Sequence, residues 1–398
     1  MVTPASRPYI DASVPVLREH GVTITRRFYS NMFAAHPELT DLFNMGNQAS
    51  GAQQQSLAAA VFAYAANIDN AAALGPVVKR IVHKHASVGI RAEHYPIVGH
   101  HLLGAIKEVL GEAATPPLLA AWGEAYGELA DLLIDAERQM YAQAGVQPGE
   151  LRDMRVTDVR QQSENVRSYT LQPADGGAAP DFRPGQYISV SVTFPDGHVQ
   201  LRQYSLSDAP ASDHLRISVK REPAGHETPQ GEVSNWLHDN VQPGSVLRVT
   251  HPFGEFTPDA ESDQPIVLLS AGVGITPMVS VLKRIAQVHP ERSVVFGHAA
   301  RDAQHHAHRE DIAAAQAVMP NLQVATFYEH MAQPDGVAQP GFMRVEALPR
   351  WPVGEAEVYM CGPVGFMRAQ WKNLLTAGVP AARLHREVFG PEMLDYLG

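Results

Sequence analysis

The sequence predicts three domains of different class in one chain: an all-helical unit over residues 1–146, an antiparallel β-barrel over 147–260 and a parallel α/β unit over 261–398. Three observations carry this. A chain of 398 residues is too long for one ordinary hydrophobic core. Proline is sparse early and dense later, 8 up to residue 147 against 22 beyond it, so only the first part sustains long helices. Finally, the apolar pattern changes twice along the chain, from helical to strand-like and then to an alternation of both.

The helical part comes first. In "SLAAAVFAYAANI" Leu57, Val61, Tyr64 and Ile68 share one helical face. In "LLAAWGEAYGELADLLIDAERQMYAQA" Trp122, Tyr126, Leu129, Leu133 and Met140 do the same. Pro37 suits a helix boundary, Pro76 opens "PVVKRIVHKHA" as a first-turn proline, and "TPPLL" starts the last long helix. "AGVQPGELRD" (144–153) reads as a linker. Beyond it, "YTLQP", "QYISVSVTF", "LRISVKRE" and "SVLRVTHPFGEF" are short β-type runs between turn residues, as in an antiparallel barrel. From "IVLLS" onward strands such as "SVVFGHA", "QVATFYE" and "EVYMCG" alternate with helical runs such as "TPMVSVLKRIAQV" and "VGFMRAQWKNLLTAG", which implies a parallel sheet flanked by helices.

Composition narrows the function classes. With 45% hydrophobic and 18% charged residues the chain reads as globular. No apolar run reaches the roughly 18 residues that span a bilayer, and "MVTPASRPYI" lacks a signal-peptide core; a cytoplasmic protein without a membrane anchor is the expectation. The net charge of −11 disfavours a nucleic-acid partner. Cys361 is the single cysteine, so no intramolecular disulfide or C-x-x-C-H haem attachment can form, and any haem would be held non-covalently.

Several motifs then carry chemistry. "LLSAGVGITPM" is a buried strand running into Gly272-x-Gly274 and a helix that Pro277 can open. That arrangement brings backbone N–H groups and a helix amino terminus to a pyrophosphate, although a glycine pair after a strand is often only a turn. In "VYMCGPVGFM" a second strand ends in Cys361-Gly362-Pro363, again at the edge where such sheets bind ligands. "RPGQY" and "RQYSL" lie on successive strand-like stretches, where Arg202 suits a phosphate and Tyr204 and Ser205 suit a planar heterocycle. Residues 81–101 hold five histidines. His83 and His85 diverge by about 200° around a helix, as adjacent His100 and His101 also diverge, which argues against a shared multi-histidine metal site. Glu137 falls on an apolar helical stripe between Leu133 and Met140; burying an unpaired carboxylate costs several kcal/mol, so it requires a partner or reaches water.

Together "RQYS", "AGVGITP", "CGP" and "EVFGP" resemble the ferredoxin–NADP reductase superfamily. That resemblance implies FAD held by Tyr187, Arg202, Gln203, Tyr204, Ser205 and the carboxyl-terminal Phe389-Gly390-Pro391. It also implies NADH or NADPH at Gly272, Val273, Gly274, Ile275, Thr276, Pro277, Cys361, Gly362 and Pro363. The helical part resembles a globin, and the whole chain resembles the flavohaemoglobins, on Tyr29 in "RRFYSNMF", Phe43 in "LFNMGN", Gln53 and Leu57 in "AQQQSLA", His85 in "VHKHASVGI", Tyr95 in "EHYPIVG" and Glu137 in "DAERQMY". The resemblance implies a globin domain holding haem b, with His85 as proximal iron ligand and Lys84 beside it. Tyr95 and Glu137 would lie behind the imidazole, Tyr29, Gln53 and Leu57 on the distal side, and Phe43 against the porphyrin.

The family's activity implied for this chain is nitric oxide dioxygenase. NAD(P)H reduces FAD, FAD reduces the haem iron, and ferrous haem-bound O2 oxidises NO to nitrate. An oxygen carrier has no use for an attached reductase, and a general flavin reductase has no use for a complete proximal set. The chain is expected to act as a monomer, on small molecules only. The resemblance leaves room for NADH or NADPH, for a lipid in the haem pocket and for substrates such as hydroperoxides, and it favours NADH. Two positions depart from the family pattern, His308 in place of an aromatic and Pro252-Phe253 before a glycine. Both are expected to border the reductase part without touching the site residues.

Overall fold

The computed structural model describes residues 2–68, 70–211, 213–225, 229–331 and 338–390. Six helices build the first unit: α1 (Arg7–Ala35), α2 (Met45–Ala49), α3 (Ala52–Ala66), α4 (Ala71–Val88), α5 (His94–Leu110) and α6 (Pro116–Ala144). Helix α1 buries Ile10, Leu17, Ile24, Phe28, Tyr29 and Met32, a stripe at helical spacing. It continues through Pro15, whose missing N–H costs one backbone bond, because that stripe packs against α3 and α5. Pro76 is a correction to the sequence reading. It lies inside α4, since the alanine-rich start at Ala71 extends the helix upstream of it. Helices α5 and α6 approach closely at Gly99, where a Cβ would meet the Tyr126 ring at 2.6 Å. No helix among the described residues is long and apolar enough to cross a membrane.

The middle unit is a six-stranded antiparallel sheet in the order β4-β3-β6-β1-β2-β5. Its strands are β1 (Arg152–Ser163), β2 (Val166–Pro173), β3 (Tyr187–Thr193), β4 (Val199–Ser205), β5 (Leu215–Lys220) and β6 (Val246–Val249). Its two edges meet, since Leu206 bridges Ile217 and the Ser207 N–H donates to the Arg216 carbonyl at 2.8 Å, so the sheet closes into a barrel. Met154, Val156, Tyr169, Leu171, Ile188, Val190 and Ile217 fill it. Helix α7 (Glu232–Asn240) packs on the barrel through Val233 and Leu237.

The last unit is a six-stranded parallel sheet, order β10-β9-β8-β7-β11-β12. The strands are β7 (Ile266–Ala271), β8 (Val294–Ala300), β9 (Leu322–Tyr328), β10 (Ala338–Pro340), β11 (Glu357–Cys361) and β12 (Leu384–Glu387), with helices α8 (Ile275–Val288), α9 (Arg309–Val318) and α10 (Val364–Thr376). The chain leaves β7 towards β8 on one side, while β11 lies on the other. The carboxyl ends of β7 and β11 therefore form the switch point where such sheets open a crevice.

Candidate functional site

In the helical unit His85, on α4, points its ring towards α6. Its Nδ1 bonds the Glu137 Oε1 at 2.7 Å and lies 3.1 Å from the Tyr95 hydroxyl, while that hydroxyl donates to Glu137 Oε1 at 2.5 Å. The carboxylate is 3% exposed, so it has the partner that burial demands. Burial first, and then the Glu137 carboxylate, push the Tyr95 phenol well up, so it remains a donor. The Tyr126 hydroxyl in turn holds the Tyr95 carbonyl at 2.6 Å. With Nδ1 engaged, His85 Nε2 has no hydrogen-bond partner among the described residues, and the side chain is 34% exposed. An imidazole nitrogen left open, backed by a carboxylate, fits an axial haem ligand.

Tyr29 lies across this unit, buried among Phe28, Phe33 and Phe43, with the Phe43 ring edge-on at 5.8 Å. Burial raises its phenol to about 12, against a smaller opposing effect of the Gln53 and Gln48 amides beside it. Leu57 follows Gln53 on α3 and packs on the same cluster. Gln48 is a neighbour the sequence reading missed. A glutamine on a short helix carries no periodic signal, and only the fold brings it to Tyr29.

In the barrel, Arg202 and Tyr204 alternate with Gln203 and Ser205 on β4, directly paired with β3 from Tyr187. The Arg202 guanidinium donates to Gln200 Oε1 at 2.9 Å and to the Leu201 carbonyl, and it meets no carboxylate within ion-pair distance among the described residues. Burial lowers its pKa. A half-buried guanidinium without an acid fits a phosphate. The Tyr187 hydroxyl is buried without a hydrogen-bond partner among the described residues, a second orphan that a flavin would satisfy. Phe389 presents a 47% exposed ring, and Gly390 follows it; Pro391 lies outside the described residues.

At the parallel sheet's crevice, Gly272 takes φ +55° and a turn over Gly272–Gly274 feeds α8 at Ile275. A Cβ on Gly274 would stand 2.3 Å from the Cys361 carbonyl oxygen. The two motifs read separately in the sequence are thus one built site, and only glycine permits the contact. Thr276 turns its hydroxyl to the Val273 carbonyl at 3.1 Å, Pro277 is buried in the first turn of α8, and Gly362-Pro363 leads into α10. The Cys361 thiol is fully buried and its pKa is raised well up by that burial, so it packs rather than reacts.

Residues 26–133 match the globin family, 153–257 the oxidoreductase FAD-binding domain and 268–372 the oxidoreductase NAD-binding domain. A flavohemoprotein of Bordetella parapertussis is 50% identical over 98% of this chain and 99% of its own. The chain belongs to the flavohemoprotein family. A second flavohemoprotein, of Rhizobium meliloti, is 46% identical with 99% of each chain covered. Among solved structures, the flavohemoglobin of Malassezia yamatoensis with bound FAD and heme superposes with a TM-score of 0.86 at 29% identity, over 98% of this chain and 100% of that one. The FAD/NAD-binding domain of a nitric oxide dioxygenase from Vibrio cholerae is 37% identical, with a TM-score of 0.56, over 60% of this chain and 99% of that one. This flavohemoprotein is therefore an oxidoreductase with a globin module and FAD- and NAD-binding modules, an order suited to electron transfer to haem.

Helix α4 of the flavohemoprotein is also where its modules dock. Lys84 Nζ donates to the Gly390 carbonyl at 2.7 Å, and the Ser189 hydroxyl on β3 donates to the Ser87 carbonyl at 2.5 Å. The Gly254 N–H donates to His83 Nδ1 at 3.0 Å, and Arg80 pairs with Glu255 at 2.9 Å. His83 and His85 thus serve opposite sides of one helix. Phe253 corrects the expectation that it stays clear of the site. Its carbonyl accepts from the Tyr187 N–H at 2.8 Å, and its ring, 3% exposed, meets Tyr141 edge-on at 6.2 Å, filling the joint between barrel and α4.

Proposed function

We propose that this flavohemoprotein is a nitric oxide dioxygenase. Haem b supplies O2 binding and one-electron chemistry, FAD divides an electron pair into single electrons, and NADH or NADPH supplies the pair. His85 would hold the haem iron, and Glu137 and Tyr95 keep its Nδ1 proton engaged so that the imidazole donates strongly. Tyr29, with Gln53 and Gln48 beside it on the distal side, places an O–H donor there, and Leu57 and Phe43 keep that side apolar. Arg202, Tyr204, Ser205 and Tyr187 would bind the flavin, with Gln203 beside Ser189 and Phe389 covering it; Lys84 ties that end of the site to α4. The loop Gly272-Val273-Gly274 and Cys361-Gly362-Pro363 would receive the coenzyme.

One observation carries the reading: the helix that presents His85, with its buried carboxylate, is bonded on its other side to the flavin strands of the same chain. A globin that only stored oxygen has no need of that joint. The relatives' covalently continuous modules support it, as does the Vibrio cholerae protein named a nitric oxide dioxygenase. The test is spectral and then chemical. The purified protein should show a haem Soret band that shifts on adding NADH in air. It should then consume nitric oxide and form nitrate with one electron drawn per nitrate. A protein that oxidises NADH without forming nitrate would be a reductase of another kind.

A further inference from the structure

The flavin-binding strand β4 and the coenzyme-binding helix α8 belong to different units, and a partly buried ionic network joins them. Asp208 lies just past Ser205. Its carboxylate bonds Lys283 of α8 at 2.5 Å and Arg216 of β5 at 3.4 Å, and its carbonyl accepts from the Ser280 hydroxyl at 2.6 Å. Arg216 also clasps Asp311 of α9, at 3.0 and 3.2 Å, and Lys283 reaches Asp311 at 3.3 Å. His308 completes the network, Nδ1 to Asp311 at 2.7 Å and Nε2 to the Ser218 hydroxyl of β5 at 2.9 Å. Its side chain is fully buried.

Two features mark His308 as more than packing. Among the described residues it is the one non-glycine residue with positive φ, at 60°, a conformation that costs roughly 1 kcal/mol or more and persists only where surroundings impose it. Its ring also bonds Asp311 through one nitrogen and the Ser218 hydroxyl through the other, which no aromatic hydrocarbon ring could do. Withdrawing two carboxylates and two cations partly from water yields little net stability against an apolar filling, because desolvation offsets the attraction. What such a network does supply is direction: each bond is satisfied at one relative placement of the units.

We propose that His308, with Asp311, Arg216, Asp208 and Lys283, is a positioning set that fixes the glycine loop Gly272–Gly274 relative to Arg202, Tyr204 and Ser205, and thereby the approach of coenzyme to flavin. This rests on the reading that coenzyme reduces flavin between these units. Misplacement of reacting groups by about 1 Å can cost on the order of 100-fold in rate, so the set governs the coenzyme-to-flavin step and leaves the flavin-to-haem joint at α4 untouched.

The test uses the full-length holoprotein with three variants, His308→Phe, Lys283→Met and the milder Ser218→Ala, which removes only one bond between units. Flavin reduction by NADH in a rapid-mixing instrument should slow by about tenfold or more in the first two and less in Ser218→Ala. The dissociation constant for NADH should change little, and haem reduction from prereduced flavin should keep its rate. Lys283→Arg should restore most of the loss. In the cofactor-free protein, amide exchange at Ser207 and along the start of α9 should quicken in all three variants. An unchanged flavin reduction rate with lowered thermal stability would overturn the proposal, as would equal slowing of both electron steps. Failure of the unaltered protein to reduce its flavin with NADH would instead sink the reading beneath it.

Discussion

Replacing Glu137 by glutamine isolates the electrostatic role of the group behind His85. The change keeps the side-chain shape inside a site that is 3% exposed, so packing is preserved. It removes the charge that receives the Tyr95 hydroxyl at 2.5 Å and His85 Nδ1 at 2.7 Å. Hydrogen bonds to a charged acceptor are worth about 1.5–3 kcal/mol and neutral ones about 1, so each bond loses about 0.5–2 kcal/mol. Only the part felt differently by ferric and ferrous iron moves the reduction potential. A carboxylate drawing the Nδ1 proton makes the imidazole a stronger donor and favours the ferric state, so its loss must raise the potential. If about 1 kcal/mol of the His85 bond is differential, the midpoint rises by about 40 mV, from about 59 mV per tenfold for one electron. Spectroelectrochemical titration of the haem, with the iron–histidine stretch by resonance Raman, reads both consequences. A potential that stays put or falls, with that stretch unmoved, would refute the argument that Glu137 acts through His85.

Replacing His85 by alanine should abolish haem retention or turnover and leave NADH-driven dye reduction within about twofold, since the FAD- and NAD-binding domains are separate units; joint loss of both activities would contradict that separation. Tyr29→Phe should retain haem but speed oxygen dissociation about 2- to 12-fold, the range of one hydrogen bond at about 0.5–1.5 kcal/mol, as stopped-flow measurement would show. Burial holds the His306 imidazole at about 4, against an ordinary 6.5. The folded coenzyme unit thus binds fewer protons than the unfolded chain, and its stability falls as pH drops from 6.5 towards 4. That loss is worth up to about 3 kcal/mol at about 1.4 per unit, and His306→Phe should flatten the decline in thermal midpoint between pH 7 and 5.

The sequence revealed best what periodicity and glycine encode. The long α6, the buried run of β7 and the loop Gly272–Gly274 each state their role locally. Glu137 was legible for a related reason, a carboxylate on an apolar stripe being a contradiction that only a partner resolves. Strand β1 was missed because it alternates charged and apolar residues so sparsely that Met154 and Val156 are its only deeply buried apolar side chains, and α7 because its nine residues carry few periodic positions. The joints between units were illegible for a deeper reason. His83 and Ser87 lie far in sequence from Ser189 and Phe253, and they acquire a shared meaning only when α4 is laid against the barrel. The same holds at His308. Among the described residues it bonds Asp311 and Ser218 and none of the expected site residues, and its place between two units emerges only when they are packed together. A chain that moves electrons between units places its constraints at their boundaries, where sequence neighbours say least. In such a protein a bonded set at a boundary is the first place to look for control of rate, which is why the His308→Phe variant discriminates more sharply than any change within a single cofactor cradle.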